Sequence, residues 1–129
     1  MVDENGQQDD PLTREIIGAA IEVHKTLGPG LLESAYETCL ARELQIRGLA
    51  FTRQVEIPIA YKGERLECAY RADLIVEGRV LVELKSVDDL KPIHKAQVLT
   101  YLRLTGLPTA LLLNFNTPFL RGGIKRLSL

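Results

Sequence analysis

The first part of the chain carries two helical patterns of hydrophobic residues. In the first pattern, apolar side chains recur every three or four positions, at Ile16, Ala20, Val23 and Leu27. Asp10 suits the N-cap and Pro11 the first position of this helix, which we predict over about residues 12–27. The second pattern comprises Leu32, Ala35, Tyr36, Cys39, Leu40 and Leu44. It predicts a second helix that ends at Gly48.

The middle of the chain changes to a period of two, which is typical of β-strands. Residues 51–61 alternate in this way, and Pro58 predicts that their strand lies at a sheet edge. Residues 65–77 alternate more strictly, and the predicted core face consists of Leu66, Cys68, Tyr70, Ala72, Leu74 and Val76. Gly78 then turns the chain into residues 80–87, a nearly continuous apolar run that predicts a strand covered on both faces.

The last part of the chain returns to a helix followed by strands. The pattern predicts a helix over about residues 91–105, ended by Gly106, and strands over 109–115 and 124–129. The resulting element order, ααβββαββ, contains one β-α-β crossover within an otherwise antiparallel layout. We therefore predict an α/β fold with a mixed β-sheet flanked by helices, formed as a single domain by residues 12–129.

Composition limits the class of protein. The chain is 46% hydrophobic and has no apolar run near the roughly 20 residues that a membrane-spanning helix needs. The opening residues do not resemble a signal peptide, and the two cysteines show no disulfide or metal spacing, so we expect a cytoplasmic protein with no membrane association. Aromatic residues make up only 5% of the chain, so no aromatic stripe for single-stranded nucleic acid is predicted.

The charges are unevenly distributed. Residues 1–11 hold four of the 17 acidic residues and no basic one, and we expect them to form a disordered acidic tail. The rest of the chain then has 16 basic and 13 acidic residues. This mildly basic remainder is compatible with a partner that contains phosphate.

Two charged residues interrupt the strand that should be buried on both faces. Glu83 and Lys85 are separated by one residue, so their side chains point to the same face. Burying either charge costs several kcal/mol unless it is paired, binds an ion or lines a cleft. These residues therefore mark a candidate site.

The predicted hairpin brings a second acid to this place. With an odd-length turn centred on Gly78, Leu74 faces Val82 and Asp73 faces Glu83. Two facing carboxylates require a shared proton or a cation between them. The structural alternative is an internal ion-pair cluster in which Arg71 and Lys85 neutralise both acids. In the functional interpretation, oxygen ligands favour magnesium or manganese, and the reaction is phosphodiester hydrolysis.

Asp73 and Glu83-Leu84-Lys85 resemble the motif of the PD-(D/E)XK nuclease superfamily. Gly30-Leu31-Leu32-Glu33-Ser34-Ala35-Tyr36 is similar to the signature of the GxxExxY protein family, which is assigned to that superfamily. The second resemblance extends over nearly all of residues 12–129. It implies a restriction-endonuclease-like fold.

The resemblance also implies roles for individual residues. Glu33 would join Asp73, Glu83 and the carbonyl of Leu84 in holding the metal, while Lys85 orients the attacking water. From the residues alone, the preferred interpretation of Glu33 is an acid at a helix start beside a core tyrosine, Tyr36.

Other candidate residues would contact the substrate. Gln97 and Tyr101 are similar to the Gln-X-X-X-Tyr element of RecB-like exonucleases, which would position the strand. Arg71 and Tyr36 complete the predicted substrate-binding set, and His94 is a further candidate for a phosphate contact. The sequence thus predicts a magnesium- or manganese-dependent nuclease acting on DNA or RNA. The alternative is a non-catalytic binding or assembly module that keeps the nuclease fold, and a homodimer is left open.

Overall fold

The structure is a computed structural model that describes residues 10–67 and 70–129. Its helices are α1 (Pro11–Leu27), α2 (Glu33–Ile46) and α3 (Pro92–Thr105). The strands are β1 (Phe51–Glu56), β2 (Ile59–Tyr61), β3 (Glu64–Leu66), β4 (Arg71–Val76), β5 (Val80–Lys85), β6 (Thr109–Asn114) and β7 (Ile124–Leu127). A short 3-10 turn over Leu120–Gly123 precedes β7.

The three predicted helices are present. The carboxylate of Asp10 accepts a hydrogen bond from the Thr13 N–H at 3.3 Å, which is the predicted cap of α1. Helix α2 begins at Glu33, directly after its N-cap residue Leu32. Leu32 was predicted to belong to the apolar stripe of this helix, but it precedes the helix and its side chain is exposed. Pro11 is the first residue of α1, while residues 1–9 of the predicted tail lie outside the described residues.

The main sheet has five strands in the order β1-β4-β5-β6-β7. All neighbours are antiparallel except β5 and β6, which are parallel and are joined by α3. This is the predicted β-α-β crossover, and β1 lies at the predicted edge position. The mixed sheet flanked by helices is consistent with a restriction-endonuclease-like fold, as predicted.

Two predicted strands are each divided in the structure. The chain leaves the sheet after β1, and β2 pairs with β3 in a separate two-stranded sheet. Leu66 and Tyr70, predicted as core residues, are 43% and 40% exposed, whereas Ala72 is fully buried. Alternation of side chains identifies a face only while the strand continues, and here it continues only from β4 onward. The prediction for Cys68 lies outside the described residues.

The core consists of two layers, one on each face of the sheet. Helices α1 and α2 pack on one face, where Ile16, Tyr36 and Leu40 meet Leu74 and Phe115. Helix α3 packs on the other face against the second apolar cluster, which includes Leu81, Val98, Leu102 and Leu112. The central strand β5 is thus covered on both sides, as predicted. Within the described residues, no helix combines the length and apolar character needed to cross a bilayer.

Candidate active site

The hairpin of β4 and β5 brings Asp73 and Glu83 together. Its paired residues run from Val76 opposite Val80 to Leu74 opposite Val82, around a three-residue loop that contains Gly78. Arg79 N–H donates to the Val76 carbonyl at 3.0 Å and closes this loop. The predicted register and the odd loop length are both confirmed.

From Leu74 towards the open end of the hairpin, the next cross-strand hydrogen bonds are accepted by the two side-chain carboxylates and not by backbone carbonyls. Asp73 N–H donates to Glu83 Oε1 at 2.7 Å, and Leu84 N–H donates to Asp73 Oδ2 at 2.8 Å. Each acid thereby satisfies a main-chain donor of the opposite strand. These two hydrogen bonds connect the start of β4 to the end of β5. They also fix the orientation of both carboxylates relative to the backbone.

The electrostatics of the pair follow from its burial. Glu83 is only 5% exposed, and burial, followed by repulsion from Asp73, raises its pKa to about 8. Burial also raises the pKa of Asp73, to which repulsion from Glu37 and Glu33 adds, while hydrogen bonds from Leu84 and Gln54 oppose it. Burial and mutual repulsion therefore disfavour simultaneous ionisation of both carboxylates.

The basic residues nearby do not pair with these acids. Arg71 contacts the exposed Glu56 at 3.5 Å. Across residues 10–67 and 70–129, no lysine or arginine nitrogen lies within 4.0 Å of the carboxylate oxygens of Asp73 or Glu83. Lys85, the half-buried last residue of β5, lowers the pKa of Glu83 from a greater distance. The structural alternative, in which Arg71 and Lys85 neutralise the pair directly, is therefore not the arrangement found.

Glu33 approaches the site from the start of α2. Its Oε1 accepts a hydrogen bond from the N–H of Ser86, which follows Lys85 directly, at 3.3 Å. The hydroxyl of Ser86 donates to the Leu31 carbonyl at 2.7 Å. Two hydrogen bonds thus join the beginning of α2 to the end of β5, and sequence analysis did not identify Ser86.

Tyr36 supports this junction from within the core. Its side chain is fully buried and stacks on Phe115, with 4.5 Å between ring centroids. The hydroxyl donates to the Gly28 carbonyl at 2.6 Å and accepts from the Leu31 N–H at 3.1 Å. Tyr36, predicted as a substrate-binding residue, thus shapes the loop before Glu33 and has no exposed side-chain surface.

Glu37 and Gln54 form a second group that sequence analysis missed. The buried carboxylate of Glu37 accepts from Arg53 Nε at 3.0 Å and from Gln54 Nε2 at 2.6 Å. Gln54 Nε2 also lies 3.3 Å from Asp73 Oδ1, and Gln54 has a φ of 50°, which is uncommon outside glycine. The position of Glu37, one helical turn after Glu33, was the signal that could have identified it.

Asn114 fixes the segment after β5 from the neighbouring strand. Its buried amide accepts from the Val87 N–H at 3.1 Å and donates to the Val87 carbonyl at 2.9 Å. The parallel register also sets Asn114 opposite Lys85. Backbone constraints therefore hold Lys85 on two sides, through Ser86 and through Asn114.

Gln97 and Tyr101 line a cavity of about 290 Å³ beside α3, together with residues that include Tyr70, Ile93 and His94. Tyr101 is almost completely buried, and its ring centroid is 5.8 Å from that of Tyr70. His94 Nδ1 accepts from the Lys91 N–H at 2.9 Å, so the imidazole caps the first turn of α3. The predicted pair of Gln97 and Tyr101 thus shares one cavity, at the end of β4 where Tyr70 lies.

The donor atoms of the site suit a hard cation. Carboxylate and carbonyl oxygens are the ligands that magnesium and manganese prefer, and the Asp73–Glu83 pair lacks a direct cationic partner. Within the part of the chain that is described, no group of three or more His, Cys, Asp or Glu side chains is gathered closely enough to hold a metal ion. The structure therefore brings together the central pair of the predicted ligand set, Asp73 and Glu83, whose chemistry fits a divalent cation. Glu33, the third predicted acidic ligand, is not gathered with them and instead accepts from Ser86 N–H.

Comparison with known proteins completes the description of the site. No curated protein and no solved structure matches the chain. The family model of the PD-(D/E)XK nuclease superfamily matches residues 10–127, which include Glu33, Asp73, Glu83 and Lys85. The chain belongs to the PD-(D/E)XK nuclease superfamily.

Proposed function

We propose that this protein is a metal-dependent nuclease that hydrolyses phosphodiester bonds of DNA or RNA. The observation that carries the proposal is the Asp73–Glu83 pair, in which Glu83 is buried and Asp73 partly buried, together with Lys85, two residues after Glu83 in β5. Superfamily membership supports a nucleic-acid substrate. The segment from Gly30 to Tyr36 further supports assignment to the GxxExxY family.

Asp73, Glu83, Glu33 and the Leu84 carbonyl would hold the divalent cation, with magnesium or manganese as the expected metal. When bound, such an ion lowers the pKa of water and offsets the negative charge that develops on the phosphoryl group. The hydrogen bonds from Asp73 and Leu84 backbone amides orient the two central carboxylates before any ion binds. This arrangement reduces the reorganisation that binding requires.

The remaining residues act on water and on the nucleic-acid strand. Lys85 would orient the attacking water with its ammonium group, which Ser86 and Asn114 help to position. The water oxygen forms a bond to phosphorus and releases a proton to solvent, one phosphoester P–O bond breaks, and the departing oxygen takes a proton from solvent. Gln97 and Arg71 would contact the strand, while Tyr36 acts indirectly by fixing the loop before Glu33.

A second candidate function is a non-catalytic module that binds nucleic acid. The observation that favours it is the hydrogen bonding of both central carboxylates to main-chain donors, which gives these acids a structural role of their own. In that case Glu83 would keep a proton at neutral pH in place of a cation.

One cleavage experiment separates the two functions. Purified protein is incubated with single- and double-stranded DNA and RNA in magnesium, manganese or EDTA. We expect cleavage with metal, none with EDTA, and a strong loss in the Lys85→Ala variant. Lys25→Ala, which changes an exposed lysine of α1, is the matched control and should cleave normally. Binding without cleavage in every metal condition would instead establish the non-catalytic module.

A further inference from the structure

The cavity beside α3 differs in character from the neighbouring acidic pair. Among the described residues, its lining combines aromatic, aliphatic and uncharged or histidine side chains and includes no carboxylate. A volume of about 290 Å³ is just below the range for small-molecule sites, which begins at about 300 Å³. This is room for a single small planar group.

Tyr70 gives the cavity a flat wall that faces solvent. It is 40% exposed, while the Tyr101 ring behind it is 3% exposed and inclined to it by 54°. Ile93, which is 68% exposed, adds a second apolar side chain. An aromatic ring that is supported on one side and open on the other is suited to stacking.

Polar groups at this cavity can bind the edge of a nucleobase and the phosphate of its nucleotide. The Gln97 side chain can both donate and accept hydrogen bonds, as the edge of a nucleobase requires. Exposed cations flank the lining residues in the sequence, at Arg71, Lys91 and Lys95. Such cations contact phosphates without selecting a base sequence.

The cavity is also close to the acidic pair along the chain. Tyr70 directly precedes β4, and Asp73 is the third residue of that strand. At about 3.3 Å per residue, their Cα atoms are no more than about 10 Å apart. A strand with one base on Tyr70 could therefore extend past Asp73.

We propose that this cavity binds one unstacked nucleobase, with Tyr70 as the stacking residue, so that the protein's substrate is single-stranded nucleic acid or an unpaired end. Inside a duplex both faces of each base are covered by neighbouring pairs, so Tyr70 has no face to contact there. This inference rests on the proposed function for the identity of the ligand, but its stacking contact does not require cleavage.

The test measures binding in EDTA, so that no cleavage takes place. Fluorescein-labelled single strands of DNA and of RNA, and the matching duplexes, are titrated with the full chain and followed by anisotropy. We expect tighter binding of the single strands, and a roughly tenfold or greater loss in Tyr70→Ala that Tyr70→Phe largely restores. Tyr61→Ala is the matched control, because Tyr61 is another exposed tyrosine, located on β2.

A second measurement leaves the protein unchanged. Single strands that each carry one abasic nucleotide, placed at successive positions, are titrated against the natural protein. We expect an abasic nucleotide at one of these positions to weaken binding about as much as Tyr70→Ala does. In the Tyr70→Ala variant, an abasic nucleotide at that position should cause no further loss of affinity. Equal binding of intact and abasic strands, or tighter binding of duplexes, would overturn the inference.

Failure of this inference and failure of the proposed function give different results. A protein that prefers single strands through Tyr70 but never cleaves them supports the base site and contradicts the nuclease. A protein that cleaves duplexes and is indifferent to Tyr70→Ala supports the nuclease and contradicts the base site.

Discussion

The two ends of the β4–β5 hairpin differ in chemical character, although the same two strands form both ends. Near the turn, Leu74, Val76, Val80 and Val82 form regular apolar pairs that are completely buried or nearly so. At the open end the regular pairing stops, and Asp73 and Glu83 take over as hydrogen-bond acceptors. Stability is concentrated at one end and charge at the other. Because the apolar end fixes the register, the charged end can carry a carboxylate pair that repels itself.

The largest effect is expected from removing charge at the open end. Asp73→Asn should lower the cleavage rate by roughly 10²–10³-fold, similar to the loss of one preorganised electrostatic group. The asparagine oxygen can still accept from Leu84 N–H, and repulsion of Glu83 disappears, so the metal-free variant should not be less stable. Cleavage assays and urea melts measure the two effects. Asp88→Asn, at an exposed acid after β5, is the control, and full activity of Asp73→Asn would contradict the assignment.

Truncation at the apolar end should give the reverse result. Leu74→Ala removes a fully buried side chain, and its free energy of unfolding should fall by about 2–5 kcal/mol. The carboxylates are held by main-chain donors on the opposite strand, so cleavage per folded molecule should change little. Urea melts and assays below the unfolding transition check this. Leu104→Ala, at a partly exposed position of α3, should cost much less. A loss of activity without a loss of stability would remove the distinction between the two ends.

The pH dependence of the free energy of unfolding reports on the open end. The pKa of Glu83, about 8, lies above the ordinary value of 4.5, so the folded metal-free protein binds this proton more tightly than the unfolded chain does. The resulting stability is fully present below pH 4.5 and is lost as the pH rises through about 8, by an amount on the order of 5 kcal/mol. Urea melts in EDTA at pH 5, 6.5 and 8 should show this decline. Glu83→Gln should flatten it, and identical profiles for both proteins would contradict the burial argument.

A divalent cation should offset part of this loss. An ion that binds only the folded protein, present at ten times its dissociation constant, adds about 1.4 kcal/mol to the free energy of unfolding. Melts at pH 7.5 with several concentrations of manganese or magnesium should therefore show increasing stability. Asp73→Asn should abolish the gain, while Asp88→Asn keeps it. Equal melting with metal and with EDTA would favour the non-catalytic module.

The contrast between the two ends also explains what could be predicted from the sequence. Apolar alternation around Gly78 was sufficient to place Asp73 opposite Glu83, because a shift by one residue would bury the wrong face. The same alternation failed at Leu66 and Tyr70, where residues continue to alternate although the chain has left the sheet. Gln54 adds a further break, since its positive φ interrupts the regular strand opposite Asp73.

Other parts of the site depend on contacts that leave no periodic signal. The hydroxyl of Tyr36 binds the backbone at Gly28 and Leu31, and hydrogen bonds to main-chain atoms do not require particular residues there. Tyr70 and Tyr101 are far apart in the sequence and meet only after α3 packs on the sheet. The aromatic content of the chain, which is low, therefore could not predict the cavity that these two tyrosines line.

The smallest expected effect concerns Arg71, the first residue of β4 at the open end. Its partner Glu56 is 3.5 Å away, and both side chains are more than half exposed, so the ion pair should contribute under about 1 kcal/mol to stability. If Arg71 meets phosphate, Arg71→Ala should weaken nucleic-acid binding and reduce the slope of log K against log salt by about one. Metal binding should be unchanged, because Arg71 does not contact the acidic pair. Titrations at several salt concentrations, together with urea melts, decide between the two roles. An unchanged slope with a clear loss of stability would assign Arg71 to the scaffold and confine the substrate contacts of the open end to other residues.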